Sequence, residues 1–184
     1  MTDKTAPLDQ LIAGNMRYVQ GNTTAQNNPE RRVELAADHI PLAAILCCSD
    51  ARVAPEIVFD QPLGTLFTCR VAGNIPTTEM LESLEYAIVY LGVSLVIVMG
   101  HSSCGAVKGA LESENSVGLF SKIALPTDSN LDAAVIHNAN HGVKTMFDQS
   151  AVLLESVESG DLTVVSGVQD IASGKFTVLD CYKK

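Results

Sequence analysis

Basic residues are scarce in this sequence. Lys and Arg number 12 against 21 Asp and Glu, for a formal net charge of −9. General affinity for nucleic acid or an anionic membrane needs basic surface, so neither is expected as a partner. A small anionic ligand is not excluded, because a local cluster can override the sum. The start, MTDKTAPLDQ, lacks the basic beginning and apolar centre of a signal peptide, and the expected location is cytoplasmic. Long apolar runs are few. Residues 86–107 carry no Asp, Glu, Lys or Arg, long enough to raise a membrane span. The strongly apolar part ends at Met99, however, and Gly92 splits the stretch into a helix-like and a strand-like half. A disulfide framework is also missing. The cysteines are Cys47, Cys48, Cys69, Cys104 and Cys181, an odd count that favours free, buried or metal-bound thiols in a reducing compartment. No repeat, low-complexity segment or linker interrupts the chain. Residues 1–184 are therefore expected to form one domain, with 1–35 as an N-terminal helical arm.

What is present is a globular composition, 47% hydrophobic and 18% charged. Leu8, Leu11, Ile12, Met16 and Val19 recur at helical spacing across Leu8–Gly21, and NTTAQNNPERR then reads as a loop. PLAAILCC, LFTCRV (Leu66–Val71) and VSLVIVM (Val93–Met99) are short, nearly continuous apolar runs, the pattern of strands buried on both faces. Between the last two, Leu81, Leu84, Ile88 and Leu91 mark a helix, with Thr77 or Thr78 as its cap and Gly92 as its stop. Residues 113–130 are irregular, a helix is expected over 131–157, and two strands around IASGK close the chain. Strands alternating with helices indicate an α/β fold, a mainly parallel central sheet flanked by helices.

Two segments share one chemical logic. Cys48, Asp50 and Arg52 follow one buried strand, and His101 and Cys104 follow another. Ligands of open parallel sheets bind beyond the carboxyl ends of the strands, so the two segments can converge there. Two thiols and an imidazole suit zinc, and a Cys₂His set leaves a fourth position open. His101 and Cys104 stand at i, i+3 on a helix start, whose N-terminus favours the Cys104 thiolate. Asp50 has two available roles. It can close the metal site, or pair with Arg52 and accept a hydrogen bond from a hydroxide held at the metal. Strand alternation places Cys47 on the face opposite Cys48. His137 and His141 are i, i+4 on a helix, but without a third ligand they read as a solvated face.

CSDAR (Cys48–Arg52) with GHSSCGAV (Gly100–Val107) resembles the two zinc motifs of the β-class carbonic anhydrases. LIAGNMRYVQG, PEIVFDQPLGTLFTCRVAGN, SLEYAIVYLGV and DIASGK are similar to further segments of that family, which together cover nearly the whole chain. The resemblance implies zinc, one per chain, held by Cys48, His101 and Cys104, with Asp50 and Arg52 as a catalytic dyad. It implies hydration of carbon dioxide to bicarbonate, and a homodimer or higher oligomer with the active site in a cleft between subunits. Phe67, Ala72 and Tyr86 would line the apolar substrate pocket, and Gly105 would place a backbone N–H near the substrate oxygens.

Several positions depart from the family pattern. His39 stands where open-site members usually have Gln. Cys47 replaces the usual Gly, Ala51 the usual Ser, and Gln169 a frequent Tyr. These changes surround the site and leave its ligands alone, which would suit a related substrate such as carbonyl sulfide or carbon disulfide. The family's closed, Asp-ligated form usually carries a Trp in its bicarbonate-sensing pocket. This chain has none, which favours the open form. Two further classes remain beside the zinc lyase. One is a cysteine enzyme with Cys48 or Cys104 as nucleophile and His101 as base, and the other is a non-catalytic zinc module.

Overall fold

Every residue of AAILC is buried, as a strand covered on both faces requires. It is the second of five strands in one sheet. The computed structural model describes residues 6–114 and 117–184. In chain order the elements are α1 (Ala6–Val19), α2 (Pro29–Leu35), β1 (Ala43–Cys47), α3 (Pro55–Val58), β2 (Leu66–Arg70), α4 (Thr78–Val89), β3 (Leu95–His101), α5 (Gly105–Glu112), α6 (Leu131–Gln149), α7 (Ala151–Ser159), β4 (Thr163–Gln169) and β5 (Phe176–Tyr182). Short 3-10 turns cover Ala72–Asn74 and Phe120–Lys122.

The strand order is β2-β1-β3-β4-β5. The first three pairings are parallel, and β5 returns antiparallel to β4. This is the mainly parallel α/β sheet expected from the sequence. Alternate residues of each strand feed opposite apolar layers. Ala43, Ile45, Cys47, Ile97 and Met99 pack with Leu11 of α1, Phe59, and Val107 and Ala110 of α5. Ala44, Leu46, Val96 and Val98 pack with Leu84 and Ala87 of α4, Val143 and Met146 of α6, and Leu153 of α7. The β4–β5 hairpin shifts register between Ser166 and Gly167. A Cβ on Gly167 would fall 2.2 Å from Cζ of Phe176, so only glycine lets that ring lie on the strand.

Local chemistry explains the departures from the sequence reading. The helix expected over 131–157 is two helices. Ser150 is extended (φ −130°, ψ 107°), its hydroxyl accepts from the Leu153 N–H (3.2 Å), and it donates to Glu85. Apolar residues continue at helical spacing through this cap, so periodicity alone does not show the break. The loop expected after residue 21 contains α2. Asn28 caps it by accepting from the Arg31 N–H (2.9 Å), and Pro29 occupies its first turn. No residue of α2 is buried, so it leaves no apolar periodicity to read. Among the described residues no helix is long and apolar enough to cross a membrane.

Candidate metal centre and active site

Cys47, the last residue of β1, pairs with Met99, two residues before the end of the parallel β3, so both strands bring their carboxyl ends to one edge of the sheet. Cys48 follows β1 at once, and His101 closes β3. Cys104 is the N-cap of α5. Residues 56 positions apart in sequence therefore meet, with Sγ of Cys48 and Sγ of Cys104 4.0 Å apart. The two sulfurs and a ring nitrogen of His101 all lie within 4.8 Å of one another, and all three side chains are buried. Cys47 and Cys48 join the same apolar layer. Alternation does not carry past the last strand residue, so the opposite placement expected for the two is not seen.

The two sulfurs are within hydrogen-bond reach of each other. The Cys104 thiol, and the Gly73 N–H (3.4 Å) after it, act on the Cys48 sulfur and hold its pKa far below that of an ordinary thiol despite burial. The same contact with Cys48, followed by burial, drives Cys104 upward. The N–H groups of Val107 and Ala106 at the start of α5 pull it down, but by less. The helix N-terminus thus acts in the expected direction and is outweighed by the neighbouring thiolate. Burial pushes Cys47 up to about 12 and Cys69 up to about 11, so both are inert core thiols.

Asp50 and Arg52 form a fork. Arg52 Nε donates to Oδ1 (2.9 Å), Nη2 to Oδ2 (2.6 Å), and the Arg52 backbone N–H to Oδ1 (2.9 Å). These bonds hold the Asp50 carboxyl well below the usual carboxylate range. Its Oδ2 stands 4.0 Å from Nε2 of His101. The arrangement is a carboxylate acceptor beside the Cys48, His101 and Cys104 cluster, turned by a guanidinium partner.

Backbone contacts fix these side chains. Arg70, the last residue of β2, donates from Nε and Nη2 to the Cys48 carbonyl (3.1 Å each) and from Nη2 to the Asp50 carbonyl (2.7 Å). Gly73 brings its N–H to the Cys48 sulfur at φ +77°, where a side chain would be strained and a Cβ would meet Ile123 Cδ1 at 3.0 Å. Ser103 sits between His101 and Cys104 at φ 55°, and its carbonyl accepts from Arg52 Nη2 (3.4 Å). Sequence reasoning passed over Arg70 and Gly73. An Arg at a buried strand end and a Gly-Asn turn beside it were the available signals.

The pocket residues divide into two groups. Ala72 precedes Gly73 in the turn that meets Cys48, and Gly105 opens α5 next to Cys104. Phe67 pairs with Ala44, four residues before Cys48, which is about 13 Å at the usual rise of a strand. Its ring lies 6.3 Å from that of Tyr86, which is 49% exposed. His39 is exposed ahead of β1. Within one chain, His39, Phe67 and Tyr86 therefore stand at the opposite end of the sheet from the cluster. The rings of His137 and His141 are 6.0 Å apart, on exposed residues of α6.

A family model described as carbonic anhydrase matches residues 43–176, which include the cluster, the Asp50–Arg52 fork and β1 to β4, and end at the first residue of β5. The chain belongs to the β-class carbonic anhydrase family. It is 32% identical to carbonic anhydrase 2 of Mycobacterium tuberculosis, over 97% of this chain and 94% of that protein. It is 33% identical to a carbonic anhydrase of Mycolicibacterium smegmatis, over 90% and 88% of the two chains. The fold matches one of two tetrameric β-carbonic anhydrases of Sordaria macrospora, with a TM-score of 0.73 at 24% identity over 85% of this chain and 89% of that one. The β-class carbonic anhydrases are zinc lyases, and this chain is an enzyme of that class. The cluster fits the cofactor. Two thiolates on one tetrahedral zinc stand about 3.8 Å apart, close to the sulfur separation found here. Nε2 of His101 is fully buried and has no hydrogen-bond partner among the described residues, as a ligand nitrogen waiting for a metal would be.

Proposed function

We propose that this enzyme interconverts carbon dioxide and bicarbonate, with Cys48, His101 and Cys104 holding zinc and Asp50 with Arg52 acting as the dyad beside it. The observation that carries the reading is the fork from Arg52, which keeps Asp50 ionised and occupied on both oxygens while Oδ2 remains 4.0 Å from the His101 nitrogen. Zinc, when bound, acidifies a water so that a nucleophile is available near neutral pH. Asp50 is acceptor-only in its ionised form. It takes the hydrogen bond of an O–H donor beside His101 and turns that oxygen's lone pair toward the substrate carbon. Arg52 keeps the carboxylate from swinging onto the metal. Gly105, first in α5, offers its N–H and the positive end of the helix to negative charge developing on the substrate oxygens.

Carbonyl sulfide is the alternative substrate, since it too presents a linear, apolar, electrophilic carbon. Of the residues that raised it, Cys47 is fully buried in the core and lines no pocket. Carbon dioxide is the first choice because the relatives that match nearly the whole chain are carbonic anhydrases. The test uses the purified zinc protein and an Asp50→Asn variant. The variant should keep its zinc and lose turnover by about 100-fold or more. Full turnover in the variant would remove the dyad, and sulfide release without hydration of carbon dioxide would remove the substrate.

We also infer a homodimer, or a larger assembly of such dimers. Support comes from an aromatic strip of half-buried Phe67 with exposed Tyr86 and Tyr90, the last two with rings stacked at 5.4 Å. A second copy laid on this strip would bring the strip and His39 toward a cluster in the other chain. Sedimentation equilibrium of the zinc protein tests it, and a monomer at micromolar concentration would end the proposal. All five cysteines are free, which supports a cytoplasmic location, checked by fractionation of cells.

A further inference from the structure

The loop from His101 to Cys104 is held by a second set of contacts that the function above does not use. The Ser102 N–H donates to the Gln169 carbonyl (2.9 Å). The Ser102 hydroxyl donates to Asp170 Oδ2 (3.2 Å) and accepts from the Ile171 N–H (2.9 Å). Ser102 is therefore bound at three points to the turn between β4 and β5. That turn is itself closed. Asp170 Oδ1 accepts from the Ser173 N–H (2.7 Å) and hydroxyl (2.6 Å), and the Asp170 N–H donates to the Lys175 carbonyl (2.9 Å).

The same residue decides the state of His101. The Ser102 carbonyl stands 2.9 Å from Nδ1 of the His101 ring. In a neutral imidazole an acceptor there selects the tautomer with its proton on Nδ1 and frees the Nε2 lone pair, and Nε2 has no hydrogen-bond partner among the described residues. No regular secondary structure fixes that carbonyl, because β3 ends at His101 and Ser103 is left-handed. Its direction is set by what grips Ser102 itself.

We propose that Ser102 and Asp170 are positioning residues for the metal ligand. Through the Ser102 carbonyl, the β4–β5 turn selects the His101 tautomer and ring orientation that zinc needs. The inference rests on the reading of His101 as a ligand. Neither residue touches the reacting atoms. Their contribution is to remove the wrong tautomer and the free rotation of the ring before the metal arrives, the part that outer hydrogen bonds play around ligand histidines.

The experiment compares Ser102→Ala and Ser102→Thr with the parent full-length chain. Three quantities are read: zinc affinity by chelator competition, the ¹⁵N shifts of the His101 ring in the zinc-free protein, and the zinc-free thermal midpoint. Ser102→Ala should weaken zinc binding by about 10–100-fold and raise the Nε2–H tautomer, with little change in the midpoint. Ser102→Thr, which keeps the hydroxyl, should restore both. Unchanged affinity and tautomer in Ser102→Ala overturns the proposal, as does a loss that Ser102→Thr fails to restore. If Ser102→Ala does not fold, Asp170→Asn weakens the same bond and must shift both readouts in the same direction, and no shift is again fatal. If the parent chain takes up no zinc, the metal reading has failed, and the ring shifts still decide the clamp.

Discussion

Arg70→Met should separate the support of the site from its chemistry. Arg70 carries three N–H···O contacts to two carbonyls, those of Cys48 and Asp50. The pair to Cys48 is one forked bond, so two bonds are lost. Hydrogen bonds involving a charged group contribute about 1.5–3 kcal/mol each. Arg70 is half-buried, so water replaces a share, and the expected loss is about 2–4 kcal/mol. For a chain of this size each kcal/mol shifts the midpoint by about 2–4 °C, which places the zinc-free variant about 4–16 °C below the parent. Zinc affinity should fall as well, by about 10–100-fold, because the released segment carries one ligand and the Asp50 fork. Arg70→Lys keeps the charge but cannot fork to two carbonyls, so it should recover less than half of either loss. Differential scanning calorimetry and chelator competition read the two effects. A midpoint unchanged within about 2 °C, a loss of less than about 1 kcal/mol, together with parental zinc affinity would refute the clamp.

Two further outcomes follow from contacts elsewhere. The Asp60 side chain is fully buried and accepts from the Ala25 N–H (2.8 Å), the Thr24 N–H (2.9 Å) and hydroxyl (3.1 Å), and Arg17. Burial alone would raise its pKa, but the Ala25 N–H, Arg17 and Thr24 outweigh it and hold it at about 2. The folded value lies below the unfolded one, so this stabilisation is complete above about pH 4 and disappears as the pH falls toward 2. Urea unfolding of zinc-free Asp60→Asn should show a deficit of about 2–3 kcal/mol at pH 6 that narrows between pH 4 and 2, and a deficit constant across that range would contradict the assignment. Separately, Tyr86→Ser with Tyr90→Ser should shift the assembly toward monomer and lower turnover while the zinc content stays at about one per chain. An unchanged sedimentation profile would show that the strip is not an interface.

The site was legible where its chemistry depends on side-chain type. Cysteine, histidine and aspartate are rare enough at strand ends that Cys48, Asp50, His101 and Cys104 point to one another across the chain. Parallel pairing of two apolar runs then brings them together. The supports were not legible for a physical reason. Arg70 and Ser102 act on or through carbonyl oxygens, and every residue offers a carbonyl, so the acceptor leaves no mark in the sequence. The Cys104 thiol shows the same limit. Its helix N-terminus can be read locally, but the larger influence is a sulfur 56 positions away. In the fold, buried strands were visible as apolar runs, whereas α2 has no buried face and the break at Ser150 has no change of period.

Three loops converge on the cluster, and each is anchored to a different part of the fold. Arg70 ties the segment after β1 to β2. Asn138 of α6 donates to the Gly73 carbonyl (2.8 Å) and accepts from the Ala124 N–H (3.0 Å), which holds the turn that meets the Cys48 sulfur. The β4–β5 turn holds Ser102. Two non-glycine residues in these loops, Asn74 (φ 46°) and Ser103 (φ 55°), adopt left-handed backbone. Such residues cost about 1–3 kcal/mol each and persist only where the surroundings over-determine them. None of these anchors involves the metal. The ligands should therefore be arranged before zinc binds, unlike small zinc domains whose binding energy is their folding energy. Removing zinc with a chelator should leave amide protection in β1 and in β3 as far as Gly100 unchanged and loosen only residues 48–52 and 101–104. Global loss of protection would mean that the metal, and not these three anchors, holds the site together.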